Sequence, residues 1–140
     1  MNKLPMILTA FGVALAMPAF AGDAAKGEND FKKCASCHAI IATDGTAVRK
    51  GGKTGPNLFG VIGRQIGSVP DFPYGASLKA AGADGSVWDE AALASYVADP
   101  TAWLKQKTGD SGAKSNMVFK LGKDGADIAS YLALAGSPGQ

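Results

Sequence analysis

The chain has 140 residues and a formal charge of +2 at pH 7, with 46% of residues hydrophobic and 19% charged. That length suggests one domain, and the near-balanced charge, with no dense basic run interleaved with aromatics, argues against nucleic-acid binding. Two cysteines and one histidine leave a structural zinc site without its usual four soft ligands.

Residues 1–21 are predicted to be a cleaved secretory signal peptide. Lys3 supplies a basic start, Leu4 to Met17 is largely apolar, and Ala19-Phe20-Ala21 fits a small-x-small cleavage site. An uncleaved anchor is the alternative. Pro5 and Pro18 interrupt the run, and it falls short of the ~20 apolar residues that a spanning helix needs. The mature domain, 22–140, is then expected to be soluble and exported, and the style of leader points to a bacterial periplasm. Cleavage would remove Met1, Met6 and Met17, leaving one methionine, Met117, beside one histidine, His38.

Gly22-Asp23 offers a cap for a helix predicted over Ala24–Ala35, with Ala24, Gly27, Phe31 and Cys34 on one side. Gly27 weakens such a helix and therefore suggests close approach of another. The helix leads into Cys34-Ala35-Ser36-Cys37-His38. Two cysteines three apart, followed directly by histidine, form the attachment signature of a c-type haem. Each thiol can add to one haem vinyl group, and the imidazole of His38 can then bind iron from the proximal side. A thioredoxin-like dithiol would sit beside a βαβ pattern, which is missing. A disulfide across two residues would be strained and would leave His38 idle. If the iron has a protein ligand on its distal side, Met117 is the leading candidate, since carriers with one histidine recruit Met or a second His. The alternatives are a core-filling methionine, lysine ligation and an open site.

Ala39 to Gly55 reads as a surface loop. Its Gly51-Gly52-Lys53-Thr54 lacks the first glycine and the preceding strand of a phosphate-binding loop. Gly55 to Tyr74 is too rich in glycine and proline for regular elements, and makes sense draped over a large rigid apolar object. A short helix is predicted at Ala76–Ala81 and a better one at Asp89–Ala98, with Ala92, Leu93, Tyr96 and Val97 on its apolar face. Asp99-Pro100 ends it and caps another short helix carrying Ala102, Trp103 and Leu104. Thr108–Asn116 is a polar loop leading to Met117. Asp124–Ala135 is the last predicted helix, with Asp124 and Asp127 as a capping pair and Ile128, Tyr131, Leu132 and Ala135 as its stripe. No strand is predicted. Lys105, Lys107, Lys114, Lys120 and Lys123 follow a segment holding Asp71, Asp84, Asp89, Glu90 and Asp99, a separation that suggests a molecular dipole.

Taken together, Cys34-Ala35-Ser36-Cys37-His38, Lys53-Thr54-Gly55-Pro56-Asn57-Leu58, Gly63-Arg64, Phe72-Pro73-Tyr74, Trp88, Tyr96 with Asp99-Pro100, Lys114-Ser115-Asn116-Met117 and Tyr131-Leu132 resemble class I c-type cytochromes, above all the bacterial cytochrome c2 and cytochrome c550 group. The resemblance implies an all-α fold, a few helices and long loops wrapped around one haem c covalently bound through Cys34 and Cys37, with His38 and Met117 on the iron. It implies that the Pro56 carbonyl orients His38. Arg64, Tyr74 and Trp88 would face the haem propionates, and Tyr96 and Ser115 would lie near the methionine ligand.

The implied function is a soluble periplasmic single-electron carrier and not an enzyme. Its donor would be a cytochrome bc1 complex, and its acceptor a photosynthetic reaction centre or cytochrome oxidase. Lys32, Lys33, Lys53, Lys105, Lys107, Lys114 and Lys120 would steer these partners in transient docking by a monomer. The competing readings are a haem enzyme or gas-binding cytochrome with an open distal site, and a dedicated electron acceptor of one dehydrogenase.

Overall fold

The computed structural model describes residues 22–137; the predicted signal peptide lies outside them. Among the described residues there are five α-helices and one small two-stranded sheet. The helices are α1 (Ala24–Asp30), α2 (Ala76–Gly82), α3 (Glu90–Ala98), α4 (Pro100–Thr108) and α5 (Gly125–Ala135). The predominance of helix and loop is as predicted, and no described helix is long and apolar enough to cross a membrane.

The frame is the crossing of α1 and α5, with α3 packed on α5 from the other side. Asp23 caps α1 by accepting from the amides of Ala25 and Lys26, as predicted. Gly27 is buried, and a Cβ there would strike the Asp127 carbonyl and lie 2.9 Å from the Tyr131 Cβ. The predicted close approach is therefore present, and Phe31 seals it against Tyr131 with ring centroids 5.8 Å apart. Alanine would gain about 1 kcal/mol of helix propensity over glycine, but overpacking against a backbone carbonyl costs roughly 1–3 kcal/mol. Gly27→Ala is accordingly expected to lower the thermal midpoint; an unchanged or higher midpoint would show that the two helices can move apart freely.

The same crossing is tied by charge. Lys26 Nζ bonds Asp124 Oδ1 at 2.6 Å and Asp127 Oδ2 at 2.5 Å. These bonds hold both carboxylates below, and the ammonium above, their ordinary pKa values. A depressed carboxylate stabilises the fold above its unfolded value near ~3.9; that contribution is lost as pH falls through the depressed value. A Lys26→Met variant is expected to melt a few degrees below the parent at pH 7, with the gap closing on acidification below pH ~4. A gap independent of pH would show that packing of the lysine stem, and not the ion pairs, carries the effect.

Several predicted elements differ in detail. The first helix is α-helical only to Asp30; Phe31–Lys33 tightens into a 3-10 turn, and Cys34 closes it through a bond from its amide to the Phe31 carbonyl at 2.8 Å. Two strands occur where none was predicted: β1 (Ile40–Ile41) pairs antiparallel with β2 (Ala47–Arg49). They are too short to show alternation in sequence. The turn between them relies on Asp44, which accepts from the Thr46 amide, and on Gly45 at φ +88°. Asp99 and Pro100 start α4 as predicted, with Asp99 Oδ1 accepting from the Ala102 amide at 3.0 Å, but α4 extends to Thr108. The expected capping pair on α5 is not formed. Asp124 sits in the left-handed region at φ +67° without a capping bond, and Asp127 accepts from the Asp23 amide of α1 instead. The two carboxylates join α5 to α1; they do not cap α5.

Residues 50–75 hold no helix or strand, as predicted. The segment returns to the core through Val61 and Ile66, both buried, and through paired backbone bonds between Arg64 and Trp88 and from Gly63 to Trp88. Trp88, Tyr96 and Trp103 then stack into one aromatic wall, with centroids 5.0–5.5 Å apart. Such contacts add roughly 0.5–1.5 kcal/mol each beyond area burial, and they lock α3 and α4 to the loop.

Candidate functional site

These elements surround a cavity of about 530 Å³. Its lining includes every predicted site residue: Cys34, Cys37, His38, Pro56, Arg64, Tyr74, Trp88, Tyr96, Ser115 and Met117. They come from parts of the chain as far apart as Cys34 and Met117, so only the fold assembles them. Leu58, Val61, Leu78, Leu93, Val97, Ile128 and Leu132 supply an apolar interior.

One wall is the turn after α1. The amide of His38 bonds the Cys34 carbonyl at 2.9 Å, which folds Cys34 to His38 into a single turn. Both sulfurs are free thiols. Burial pushes the Cys34 thiol up to about 11. Cys37 is exposed, and hydroxyl bonds from Thr54 and Ser36 hold its thiol below the usual value. The imidazole Nδ1 of His38 lies 2.8 Å from the Pro56 carbonyl. A carbonyl only accepts, so Nδ1 carries the proton and Nε2 keeps the lone pair that binds a metal. Burial holds the ring's pKa below its ordinary value, which favours the neutral, ligating form.

The segment predicted as a surface loop is the support for this turn. The Gly52 amide bonds the Ala35 carbonyl at 2.9 Å, and the Gly55 amide the Cys37 carbonyl at 2.8 Å. A Cβ on Gly51 or Gly52 would strike the carbonyls of His38 or Ser36, and one on Gly55 would lie 2.6 Å from His38 Nε2. The glycine run is therefore a cradle against which the imidazole rests. Thr54 and these glycines are site residues that the sequence reading missed. The signal for them was the Gly51-Gly52 pair, which is read correctly only once its backbone partner is known.

Met117 lines the same cavity from a distant part of the chain. Its amide bonds Ser115 Oγ at 3.1 Å, and that hydroxyl lies 3.2 Å from Tyr96 Oη. Tyr96 is buried in the aromatic wall, so the hydroxyl pair fixes the strand of loop that ends at Met117. Beyond it, Val118 and Phe119 are apolar and exposed, at 88% and 40%.

The polar groups of the cavity are donors. Arg64 is half-buried, and its one side-chain bond goes to the Phe59 carbonyl at 3.2 Å; no carboxylate pairs with it among the described residues. Tyr74 Oη accepts from the Val69 amide and keeps its own proton to give. The Trp88 indole donates no hydrogen bond among the described residues. Three donors converging on an apolar cavity call for an anionic ligand, because burying a guanidinium without a counter-charge is costly. Two thiols, one metal-ready imidazole, a thioether in the same cavity and donors for carboxylates together fit a haem.

The predicted steering lysines are not equivalent. Lys33 and Lys114 line the cavity. Lys107 is tied to Asp84 at 3.3 Å and Lys120 to Asp99 at 2.7 Å, and Lys33 also reaches Asp30. The basic and acidic segments that suggested a dipole thus partly neutralise one another across the fold.

No protein-family model matches the chain, whereas individual proteins match over most of its length. The chain is 57% identical to cytochrome c2 of Rhodobacter capsulatus over 125 residues, 89% of this chain and 91% of that protein. It is 52% identical to cytochrome c-550 of Paracoccus versutus over 135 residues, 94% of this chain and 88% of that protein. The X-ray structure of ferric cytochrome c-550 from Paracoccus versutus superposes with a TM-score of 0.81 at 53% identity, covering 84% of this chain and 100% of that one. Identity at this level, spread over nearly the whole of both sequences and accompanied by the same fold, places the chain in the cytochrome c2 and cytochrome c-550 group of class I c-type cytochromes, a family of electron carriers.

Proposed function

We propose that the chain carries one haem c, attached by thioether bonds to Cys34 and Cys37 and held between His38 and Met117, and that it shuttles single electrons in the periplasm. A bound haem would supply the ferrous–ferric couple. His38 and Met117 would stay in place in both oxidation states, leaving no position for substrate and no bond to break. The Pro56 carbonyl would keep His38 in its ligating tautomer. Arg64, Tyr74 and Trp88 would neutralise and bond the propionates. The thioether of Met117, a soft ligand, would favour the reduced state. Exposed Cys37 would leave the attachment edge accessible to partners.

The observation that carries this reading is the convergence of Cys34, Cys37, His38 and Met117 on one cavity with three donor side chains, Arg64, Tyr74 and Trp88, that have no carboxylate partner among the described residues. The proposed donor is a cytochrome bc1 complex, and the proposed acceptor a photosynthetic reaction centre or cytochrome oxidase. Residues 1–21 would be the signal peptide removed on export, leaving 22–140 as the working domain.

Flash-induced oxidation by isolated reaction centres, run beside an oxidase assay, tests the shuttle. Fast oxidation that slows as salt rises is expected, since Lys33, Lys114 and their neighbours would steer acidic partners over distances that salt screens. Oxidation by neither acceptor would contradict the proposed partners.

A further inference from the structure

Two hydroxyls outside the cavity hold the loop that ends at Met117. Ser77 Oγ, in the first turn of α2, accepts from the Lys114 amide at 3.0 Å. Thr101 Oγ1, in the first turn of α4, accepts from the Ser115 amide at 3.4 Å. Neither Ser77 nor Thr101 lines the cavity. The amides they hold are consecutive, three and two residues before Met117. Ser115 Oγ in turn accepts from the Met117 amide. The loop from Gly109 to Asn116 holds no helix or strand. Its other ties are a turn around Asp110, the hydroxyl contact of Ser115 with Tyr96, the burial of Ala113 and the packing of Asn116 beside Gly75. Side-chain hydroxyls from two different helices therefore do the work that a ladder partner does in a strand.

We propose that Ser77 and Thr101 are positioning residues that set how long Met117 stays on the iron. This rests on the ligation of Met117 proposed above. They act through the backbone: when their bonds break, the hydroxyl contact of Ser115 with Tyr96 is left as the segment's remaining side-chain tie, and 114–117 swings more readily, carrying Met117 with it. Ser77 links that motion to α2 and Thr101 links it to α4, so both helices must hold for the thioether to remain in place.

The test uses the intact holoprotein with Ser77→Ala, Thr101→Val and the double substitution. Two measurements are made. The first is hydrogen exchange at the Lys114 and Ser115 amides, which needs no assumption about the iron. The second is the rate at which added imidazole displaces the native sixth ligand of the ferric protein. Each lost bond is expected to speed both processes about fivefold, and the double substitution more than tenfold, while Ser77→Thr and Thr101→Ser retain the parent rates. Faster exchange of the two amides with unchanged imidazole binding would overturn the proposal, because the anchors would then be structural only. Unchanged amide exchange would overturn it too. Failure of the underlying ligation is seen separately: the unsubstituted ferric protein would then lack a sulfur-to-iron charge-transfer band.

Discussion

A Cys34→Ala, Cys37→Ala double variant is expected to yield a chain without covalently bound pigment and without a cooperative thermal transition. Both thiols line the cavity from one turn, so their loss removes the only covalent route for a haem. The energetic consequence follows from size. A dry cavity of about 530 Å³ would cost on the order of 10 kcal/mol at the rate measured for buried cavities. That is comparable to the whole stability of an ordinary domain. Leu58, Val61, Leu93, Val97, Ile128 and Leu132 all turn toward this space, and several are also the residues that join α3 to α5. Without a filling group their shared surface is wet. Far-UV circular dichroism during a thermal ramp reads the result. A colourless variant that still unfolds sharply, near the parent's midpoint, would show that the polypeptide builds its own core.

Met117→Ala is expected to have the second-largest effect, and a different one. The fold should survive, because the segment's anchors are the amides of Lys114, Ser115 and Met117 itself, none of which the substitution removes. The reduction potential should fall on the order of 0.2 V, since loss of a thioether ligand withdraws the preference for reduced iron. The reduced protein should also bind carbon monoxide readily. Val118 and Phe119, exposed beside Met117, offer no ligand to replace it. A redox titration with a carbon monoxide difference spectrum checks both. An unchanged potential would remove Met117 from the iron; carbon monoxide binding by parent and variant alike would then point to an open distal site, and its absence from both to lysine ligation.

Much of this was legible in the sequence, for an identifiable reason. Cys34, Cys37 and His38 belong to one turn, so their spacing alone carries their geometry. Met117 was reached by subtraction of the methionines in the predicted leader. Asp23 and Asp99 were read correctly as caps, because capping is a local bond between neighbours in the chain; Asp89, read as the first helical residue, caps α3 instead. Most of the misreadings involve partners far away in sequence. Asp124 and Asp127 look like a capping pair, but Lys26 and the Asp23 amide, about a hundred residues earlier, claim them. Gly51 and Gly52 look like a flexible surface loop, yet their lack of a Cβ is what lets that loop lie on the turn from Cys34 to His38. The β1–β2 ribbon is too short to carry a period. Lys107 and Lys120 look free to steer a partner until Asp84 and Asp99 are found beside them.

The most direct test of the whole account is the absorption spectrum of the purified ferric protein, from visible to near infrared. A six-coordinate low-spin spectrum with a sulfur-to-iron charge-transfer band, lost in Met117→Ala, is the result expected from His38 and Met117 gripping one iron. A colourless folded protein, or a high-spin spectrum without that band, would contradict it.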